Sequence, residues 1–208
     1  PVTLFDQPLP DVDLHGVEQA TLLRRLGSGF EGHPNRLRLP GVELSSGSLG
    51  QGLGVASGTA LALRLEGRDS HVYCIMGDGE QDEGSVWEAV MGAAHHRLDN
   101  LIAILDRNFL QIDGNTEEVM RLEPLADKYR AFGWNVLEID GHDLSAILEA
   151  FRAAVDHVGS PTVILATTVK GQGVSYTANA CGYHGVPPKD GLCGPESLET
   201  AVCDLGVE

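Results

Sequence analysis

The chain has 208 residues, which is enough for one domain with a sizeable core. Its formal net charge of −16 argues against nucleic-acid binding, which needs a basic face, and against attachment to anionic membranes. No apolar stretch is long enough to span a bilayer and no secretory signal is visible, so we expect a cytoplasmic location. We expect one domain over residues 1–208, with an irregular amino-terminal segment at 1–45 and a tail at 178–208.

The first predicted elements flank a glycine-rich turn. Residues 1–45 are rich in Pro, Gly and Asp, with a short helix predicted over residues 16–26. A helix over 47–66 follows, and small residues on several of its faces indicate close packing against other elements. The apolar run at 71–76 predicts a buried strand, and helical spacing of apolar residues predicts a helix over 82–97.

The rest of the chain continues this alternation of strands and helices. The predicted elements are a strand at 101–105, a helix at 122–131, a strand at 135–139, a helix at 144–158, a strand at 161–169 and a short helix at 195–204. Asp143 is a candidate N-cap for the helix at 144–158. This alternation predicts an α/β fold: a doubly wound, mostly parallel sheet with helices on both faces.

Two polar motifs follow two of the predicted strands. Gly77-Asp78-Gly79-Glu80 comes directly after the strand at 71–76, and Asp106-Arg107-Asn108 follows the strand at 101–105. Both motifs should lie at the carboxyl edge, where open α/β sheets bind ligands. A carboxylate, an amide oxygen and glycines that allow close backbone approach suit Mg²⁺ and a diphosphate. An N-cap is the alternative for Asp78, but its pairing with Asn108 favours the metal.

The stretch from Gly77 to Asn108 resembles the thiamine diphosphate motif. More narrowly, the chain is similar to the amino-terminal, diphosphate-binding part of a transketolase. Further matching segments appear in family order at 32–34, 47–52, 111–114, 132–134, 140–143, 168–171 and 183–185. The resemblance implies a thiamine-diphosphate-binding fold. It also implies the cofactors thiamine diphosphate and Mg²⁺, for which Ca²⁺ or Mn²⁺ could substitute.

The resemblance also implies which residues bind these cofactors. The metal ligands would be Asp78, Asn108 and the Leu110 carbonyl. The residues against thiamine diphosphate would be Gly47, Leu49, Gly77, Asp78, Gly79, Asn108, Leu110, Ile112 and His184. Gly79 would donate its backbone N–H to the diphosphate, and the helix after it would add positive dipole at its N-terminus. Leu49, Leu110 and Ile112 would form an apolar wall against the rings, with ordinary core packing as the alternative.

Three residues are implied to act in catalysis. By family match, His33 and His184 line the substrate channel or touch the diphosphate, and imidazole suits proton transfer near neutral pH. Glu83 matches a family acid at the subunit interface, with a first-turn helix acid as the alternative. Lys170 follows a predicted strand and either meets a phosphate or is a solvated lysine.

The chain departs from the family in two respects. Histidine segments of the Ser-Lys-Gly-His and Gly-His-Pro-Gly types, which transketolases carry nearer their start, are not present, through truncation or loss. The family's glutamate against the aminopyrimidine ring lies in a separate pyrimidine-binding domain, which we do not find in this sequence. The resemblance therefore implies one subunit of a split transketolase. Its partner subunit would carry that domain and the catalytic glutamate, in an α2β2 assembly.

Three functions follow from this interpretation. The leading one is transfer of a two-carbon ketol unit from a ketose phosphate, dependent on thiamine diphosphate and Mg²⁺. One alternative passes the same unit to a lipoyl or carrier-protein thiol. The other is a non-catalytic scaffold subunit. The intact motif at 77–79 together with Asn108 favours an enzyme that is active only with its partner.

Overall fold

The computed structural model describes residues 23–187 and 196–206. Residues 23–45 run as turns and bends. The helix predicted over residues 16–26 lies mostly outside the described residues, and it is wrong for 23–26, which form turns.

The described residues form six α-helices and six β-strands. They are α1 (Gln51–Leu65), β1 (Val72–Gly77), α2 (Gly84–His95), β2 (Leu101–Arg107), β3 (Leu110–Gln111), β4 (Gly114–Asn115), α3 (Thr116–Val119), α4 (Leu125–Ala131), β5 (Asn135–Asp140), α5 (Leu144–Asp156), β6 (Thr162–Thr167) and α6 (Leu198–Asp204). The four long predicted strands are confirmed. The hairpin β3–β4 and helix α3 were not predicted, since elements of two to four residues carry no periodic pattern.

Strands β1, β2, β6 and β5 form one sheet in that order, and every neighbouring pair is parallel. In register, Gly77 lies beside Asp106, and Arg107 lies beside Thr167. All four strands therefore end at one edge. The two polar motifs after β1 and β2 meet at this edge, as the sequence predicts.

Helices pack on both faces of the sheet, which confirms the predicted layers. One face holds α1, α2 and α4, whose buried residues such as Leu53, Val86 and Leu125 form one core cluster with residues of β1, β2 and β6. The other face holds α5, whose Ala150 and Ala154 pack against β2 and β6. Full burial of one Leu or Val side chain contributes about 1.5–3 kcal/mol to stability. The face that buries more of these side chains is therefore the main core.

Asp143 caps α5, as predicted. Its Oδ1 accepts the backbone N–H groups of Ser145 at 2.8 Å and Ala146 at 3.3 Å. A cap of this kind contributes about 1 kcal/mol. None of the helices in the described ranges is long and apolar enough to cross a membrane.

Candidate functional site

The carboxyl ends of β1 and β2 open into a cleft of about 470 Å³. Its lining brings together nine of the residues predicted from sequence: Leu49, Gly77, Asp78, Gly79, Glu83, Asn108, Leu110, Ile112 and His184. They come from four separate parts of the chain. The fold therefore assembles most of the predicted site in one place.

Asp78 is the most unusual side chain in this cleft. The residue is 1 % exposed, and its Oδ2 accepts the backbone N–H of Phe109. Its Oδ1 lies 3.2 Å from Arg107 Nη1 but is buried without a hydrogen-bond partner. Although Asp78 occupies the N-cap position of the 3₁₀ turn Gly79–Asp82, its side chain makes no capping hydrogen bond. The capping role is therefore wrong. Oδ1 pairs with Arg107 but accepts no hydrogen bond, so it has lone pairs available to a metal cation.

The ionisation of Asp78 reflects this burial. Burial raises the pKa of Asp78 to about 6, while Arg107 and the Phe109 N–H act to lower it. The carboxylate is thus ionised at neutral pH. Cations bind the deprotonated form, so Asp78 is available as a ligand under those conditions.

Asn108 and Leu110 lie on either side of a tight turn. Phe109 has φ 63, in the left-handed region that few non-glycine residues adopt. The Asn108 Oδ1 accepts the Leu110 N–H at 3.0 Å, which fixes the side-chain amide. An amide oxygen has a second lone pair, so Asn108 can accept this hydrogen bond and still bind a cation.

Glu80 joins the two loops that border the cleft. Its carboxylate accepts the backbone N–H of Gly50 at 2.9 Å and that of Gly77 at 3.2 Å. A Cβ on Gly50 would lie 2.7 Å from the Glu83 Cβ, so the loop approaches as closely as glycine allows. Glu80 was not among the predicted site residues, although it lies within the matched motif.

The turn after β1 is supported from the core. Gln81 is 1 % exposed, and its Nε2 donates to the Gly77 carbonyl at 3.2 Å. Its Oε1 accepts from the buried Tyr129 hydroxyl at 2.8 Å. A four-residue 3₁₀ turn begins at Gly79, and the predicted helix follows it as α2 from Gly84, two residues later than the predicted start at 82.

Gly79 lies where the structure leaves little space for a side chain. A Cβ at this position would lie 3.0 Å from the Gln111 Cβ. The glycine therefore lets the turn approach the β3–β4 hairpin across the cleft.

Arg107 is the second site residue that was not predicted from sequence. Its side chain is 4 % exposed and pairs with Asp78, Glu117 and Glu123. Its Nη1 also donates to Thr116 Oγ1 at 3.1 Å. The signal in the sequence was a charged residue at the end of an otherwise apolar strand.

The apolar and basic residues of the cleft are accessible. Leu49 is 52 % exposed and Ile112 is 67 % exposed, so core packing does not account for either. Lys170 Nζ lies 3.4 Å from His184 Nδ1, and both residues line the cleft.

The acidic lining residues are Asp78, Glu80, Asp82, Glu83, Asp106 and Asp113. A diphosphate would therefore meet more negative than positive groups unless a cation accompanied it.

The remaining predicted residues lie elsewhere or carry no distinctive contact. His33 and Gly47 are outside the lining of the cleft and contact each other: a Cβ on Gly47 would lie 2.5 Å from the His33 Cγ. Glu83 lines the cleft and is exposed. It occupies the N-cap position of α2, outside its first turn, without a capping hydrogen bond. The roles of these three residues stay predictions.

Comparison with known proteins gives a consistent set of relatives. The family described as "Transketolase, thiamine diphosphate binding domain" matches residues 9–193. One of the subunits of the apulose-4-phosphate transketolase of Phocaeicola vulgatus is 46 % identical over 172 residues, covering 82 % of this chain and 60 % of that protein. The 6-deoxy-6-sulfo-D-fructose transketolase subunit SqwG of Clostridium sp. (strain MSTE9) is 44 % identical over 192 residues, covering 92 % of this chain and 68 % of that protein.

Solved structures agree with the sequence relatives. The crystal structure of transketolase from Campylobacter jejuni superposes with a TM-score of 0.80 at 32 % identity, over 91 % of this chain and 30 % of that one. This chain spans about three fifths to two thirds of the length of the Phocaeicola and Clostridium transketolase subunits.

Proposed function

Since this chain belongs to the transketolase family and carries its thiamine diphosphate binding domain, we propose that it is one component of a two-component transketolase. It would take part in transfer of a two-carbon ketol unit from a ketose phosphate. The buried Asp78 carboxylate at the carboxyl edge of the sheet, whose Oδ1 pairs with Arg107 but accepts no hydrogen bond, is the observation that carries the proposal.

The residues present fit a magnesium ion. Asp78, the Asn108 side chain and the Leu110 carbonyl would hold it, and all three offer the hard oxygen donors that Mg²⁺ prefers. No group of three or more His, Cys, Asp and Glu side chains in the described ranges could hold a metal ion. A carboxylate, an amide and a carbonyl are therefore the donor set that we assign to this cleft.

The same cleft supports binding of the diphosphate. The Gly79 N–H and the pair Lys170 and His184 are donors along its lining, in keeping with recognition of phosphate oxygens. Gly77, which lines the cleft, would allow close approach of the backbone to the diphosphate. The acidic groups around them make the metal a requirement for anion binding.

Thiamine diphosphate, when bound, supplies the carbon nucleophile that cleaves the bond next to a ketose carbonyl. Leu49, Leu110 and Ile112 would exclude water from the rings along the exposed apolar part of the cleft. His184, and His33 outside the cleft lining, would donate or accept protons on the substrate hydroxyls. These assignments are proposals for the individual residues.

A partner subunit would complete the site. The two named relatives are both subunits of transketolases, which supports a partner for this chain as well. We propose that the partner contributes the pyrimidine-binding domain and the catalytic glutamate, in an α2β2 assembly. Glu83, exposed at the lining of the cleft, would face that interface. The free Cys74, Cys181 and Cys203 fit a reducing compartment, and we propose a cytoplasmic location.

The donor would be a ketose with an anionic group. By their names, the two relatives act on a sugar phosphate and on a sulfonated sugar. Both substrates carry a negative charge away from the carbonyl. A donor of this class fits the family, and the acceptor is a second sugar phosphate or a carrier-protein thiol.

The test is reconstitution with the partner subunit. Xylulose 5-phosphate and ribose 5-phosphate, with thiamine diphosphate and Mg²⁺, should give a seven-carbon ketose phosphate and a three-carbon aldehyde phosphate by mass spectrometry. A parallel reaction offers a lipoylated carrier protein as acceptor. Product from the assembled complex but not from this chain alone supports the proposal. Turnover by this chain alone would refute the two-component assignment, and no cofactor binding by the assembled complex would refute the function.

A further inference from the structure

We propose that Arg107 is a positioning residue that holds the metal-binding carboxylate in place before the cofactor arrives. This inference rests on the proposed function, since it assigns the purpose of a contact to Asp78. Arg107 would fix Asp78 and the turn at Phe109 against the segment at 116–123. The support lies in the burial, the hydrogen bonds and the charge of this cluster.

Both terminal nitrogens of the Arg107 guanidinium group make polar contacts. Nη1 donates to Thr116 Oγ1 at 3.1 Å and lies 3.2 Å from Asp78 Oδ1. Nη2 donates to Glu117 at 3.1 Å and to Glu123 at 2.8 Å. The Arg107 side chain is only 4 % exposed, although Glu117 is 27 % and Glu123 46 % exposed, so the planar guanidinium group is buried and has little freedom to move.

The charges of the cluster leave Asp78 available to a cation. Three carboxylates and one guanidinium carry a net charge of −2 when all are ionised. Arg107 therefore shares its positive charge with Glu117 and Glu123 and does not neutralise Asp78 alone. A divalent cation would balance what remains.

Arg107 also supports the turn that carries the other ligands. Its guanidinium carbon lies 4.0 Å from the centre of the Phe109 ring, a cation–π contact. The Phe109 backbone, in the left-handed region, donates its N–H to Asp78 Oδ2. The same arginine thus contacts the carboxylate and the residue whose N–H orients it.

Lysine could not replace this arginine. A single ammonium group lacks the planar fork that reaches Asp78 on one side and Glu117 and Glu123 on the other. Partners that orient a metal ligand typically change metal affinity about 10- to 100-fold when they are removed. We therefore expect a Lys substitution to keep the charge and lose the geometry.

The experiment compares Arg107→Lys with the matched control Arg130→Lys. Arg130 also pairs with two carboxylates, Asp127 and Glu138, but at the exposed surface. Two quantities are measured on each protein assembled with its partner subunit: the Kd for Mn²⁺ with thiamine diphosphate, by electron paramagnetic resonance, and hydrogen exchange of the Phe109 amide without metal, by NMR. Arg107→Lys should weaken Mn²⁺ binding about tenfold or more and accelerate Phe109 exchange by a similar factor.

The control variant should leave both quantities within about twofold of the unmodified protein. Exchange of the Ile104 amide, within β2, should change in neither variant, which separates local positioning from general loss of stability. If Arg107→Lys folds and leaves Mn²⁺ affinity and Phe109 exchange unchanged, that result would overturn the proposal.

A second variant decides the question if Arg107→Lys does not fold. Glu123→Gln weakens the contact between Arg107 and a side chain that is 46 % exposed. It should weaken Mn²⁺ binding and accelerate Phe109 exchange, each about threefold. No change in either would overturn the positioning role. Failure of the unmodified protein to bind Mn²⁺ would refute the proposed function instead, while Phe109 exchange would still decide whether Arg107 orients Asp78.

Discussion

Replacing Asp78 with Asn removes one buried negative charge and keeps the shape of the side chain. Because burial raises the pKa of Asp78 to about 6, ionisation of this group destabilises the folded protein. Without metal, the stability of the unmodified protein should therefore fall relative to that of Asp78→Asn as the pH rises. Arg107 would keep its pairs with Glu117 and Glu123 in the variant.

The size of the effect follows from the two pKa values. A rise from the ordinary 3.8 to about 6 corresponds to about 3 kcal/mol at 1.36 kcal/mol per pKa unit. For a raised pKa, the stabilising contribution is complete below the unfolded-state value and is lost as pH rises through the folded-state value. Between pH 5 and pH 8, the unmodified protein should lose about 1.4 kcal/mol relative to Asp78→Asn.

Urea denaturation of both proteins at pH 5 and pH 8, in a chelator, measures this difference. Adding Mg²⁺ and thiamine diphosphate at pH 8 should raise the stability of the unmodified protein and leave that of Asp78→Asn unchanged, since only the ionised carboxylate binds the metal. A stability difference between the two proteins that does not change with pH would refute the reasoning about Asp78 burial.

Two further substitutions test other parts of the site. Ile112→Thr should weaken thiamine diphosphate binding about tenfold in calorimetry, through lost apolar contact, while the free energy of unfolding changes by less than about 0.5 kcal/mol because the side chain is 67 % exposed. Val158→Thr, at an exposed position outside the cleft, should leave binding unchanged, and equal losses in both would contradict the apolar wall. Gly47→Ala should destabilise the protein by about 1–3 kcal/mol in urea denaturation, because φ is 115 and the new Cβ would clash with His33. Gly58→Ala, with no atom within 4 Å of its Cβ, should instead stabilise it by about 0.5–1 kcal/mol, and no difference between the two would rule out the clash.

The parts of the fold that were predictable have strong local patterns. The strands around 71–76 and 101–105 are apolar on both faces, which identifies parallel strands. Burial on both faces is wrong for β1, because it lies at the edge of the sheet and its Ile75 is exposed. Once the two strands are placed, the edge shared by Asp78 and Asn108 follows from geometry. The N-cap at Asp143 was equally local, since its hydrogen-bond partners lie two and three residues away.

What could not be predicted depends on contacts between distant residues. Glu80 bonds to Gly50, thirty residues earlier in the chain, and Arg107 reaches Glu123, sixteen residues later. Neither contact leaves a periodic signal in the sequence. The start of α2 at Gly84 was missed because polar residues at 80–83 suit a helix's first turn as well as the 3₁₀ turn that forms.

The central claim is that Asp78 binds a metal ion which in turn binds the diphosphate of thiamine diphosphate. Calorimetric titration of the protein, co-expressed with its partner subunit, measures this directly in Mg²⁺ and in a chelator. Asp78→Asn is the test variant, and Asp113→Asn, which lines the same cleft but is assigned no metal, is its control. The account predicts binding that requires Mg²⁺, is abolished in Asp78→Asn and persists in Asp113→Asn. Binding that survives the chelator, or that persists in Asp78→Asn, would contradict it.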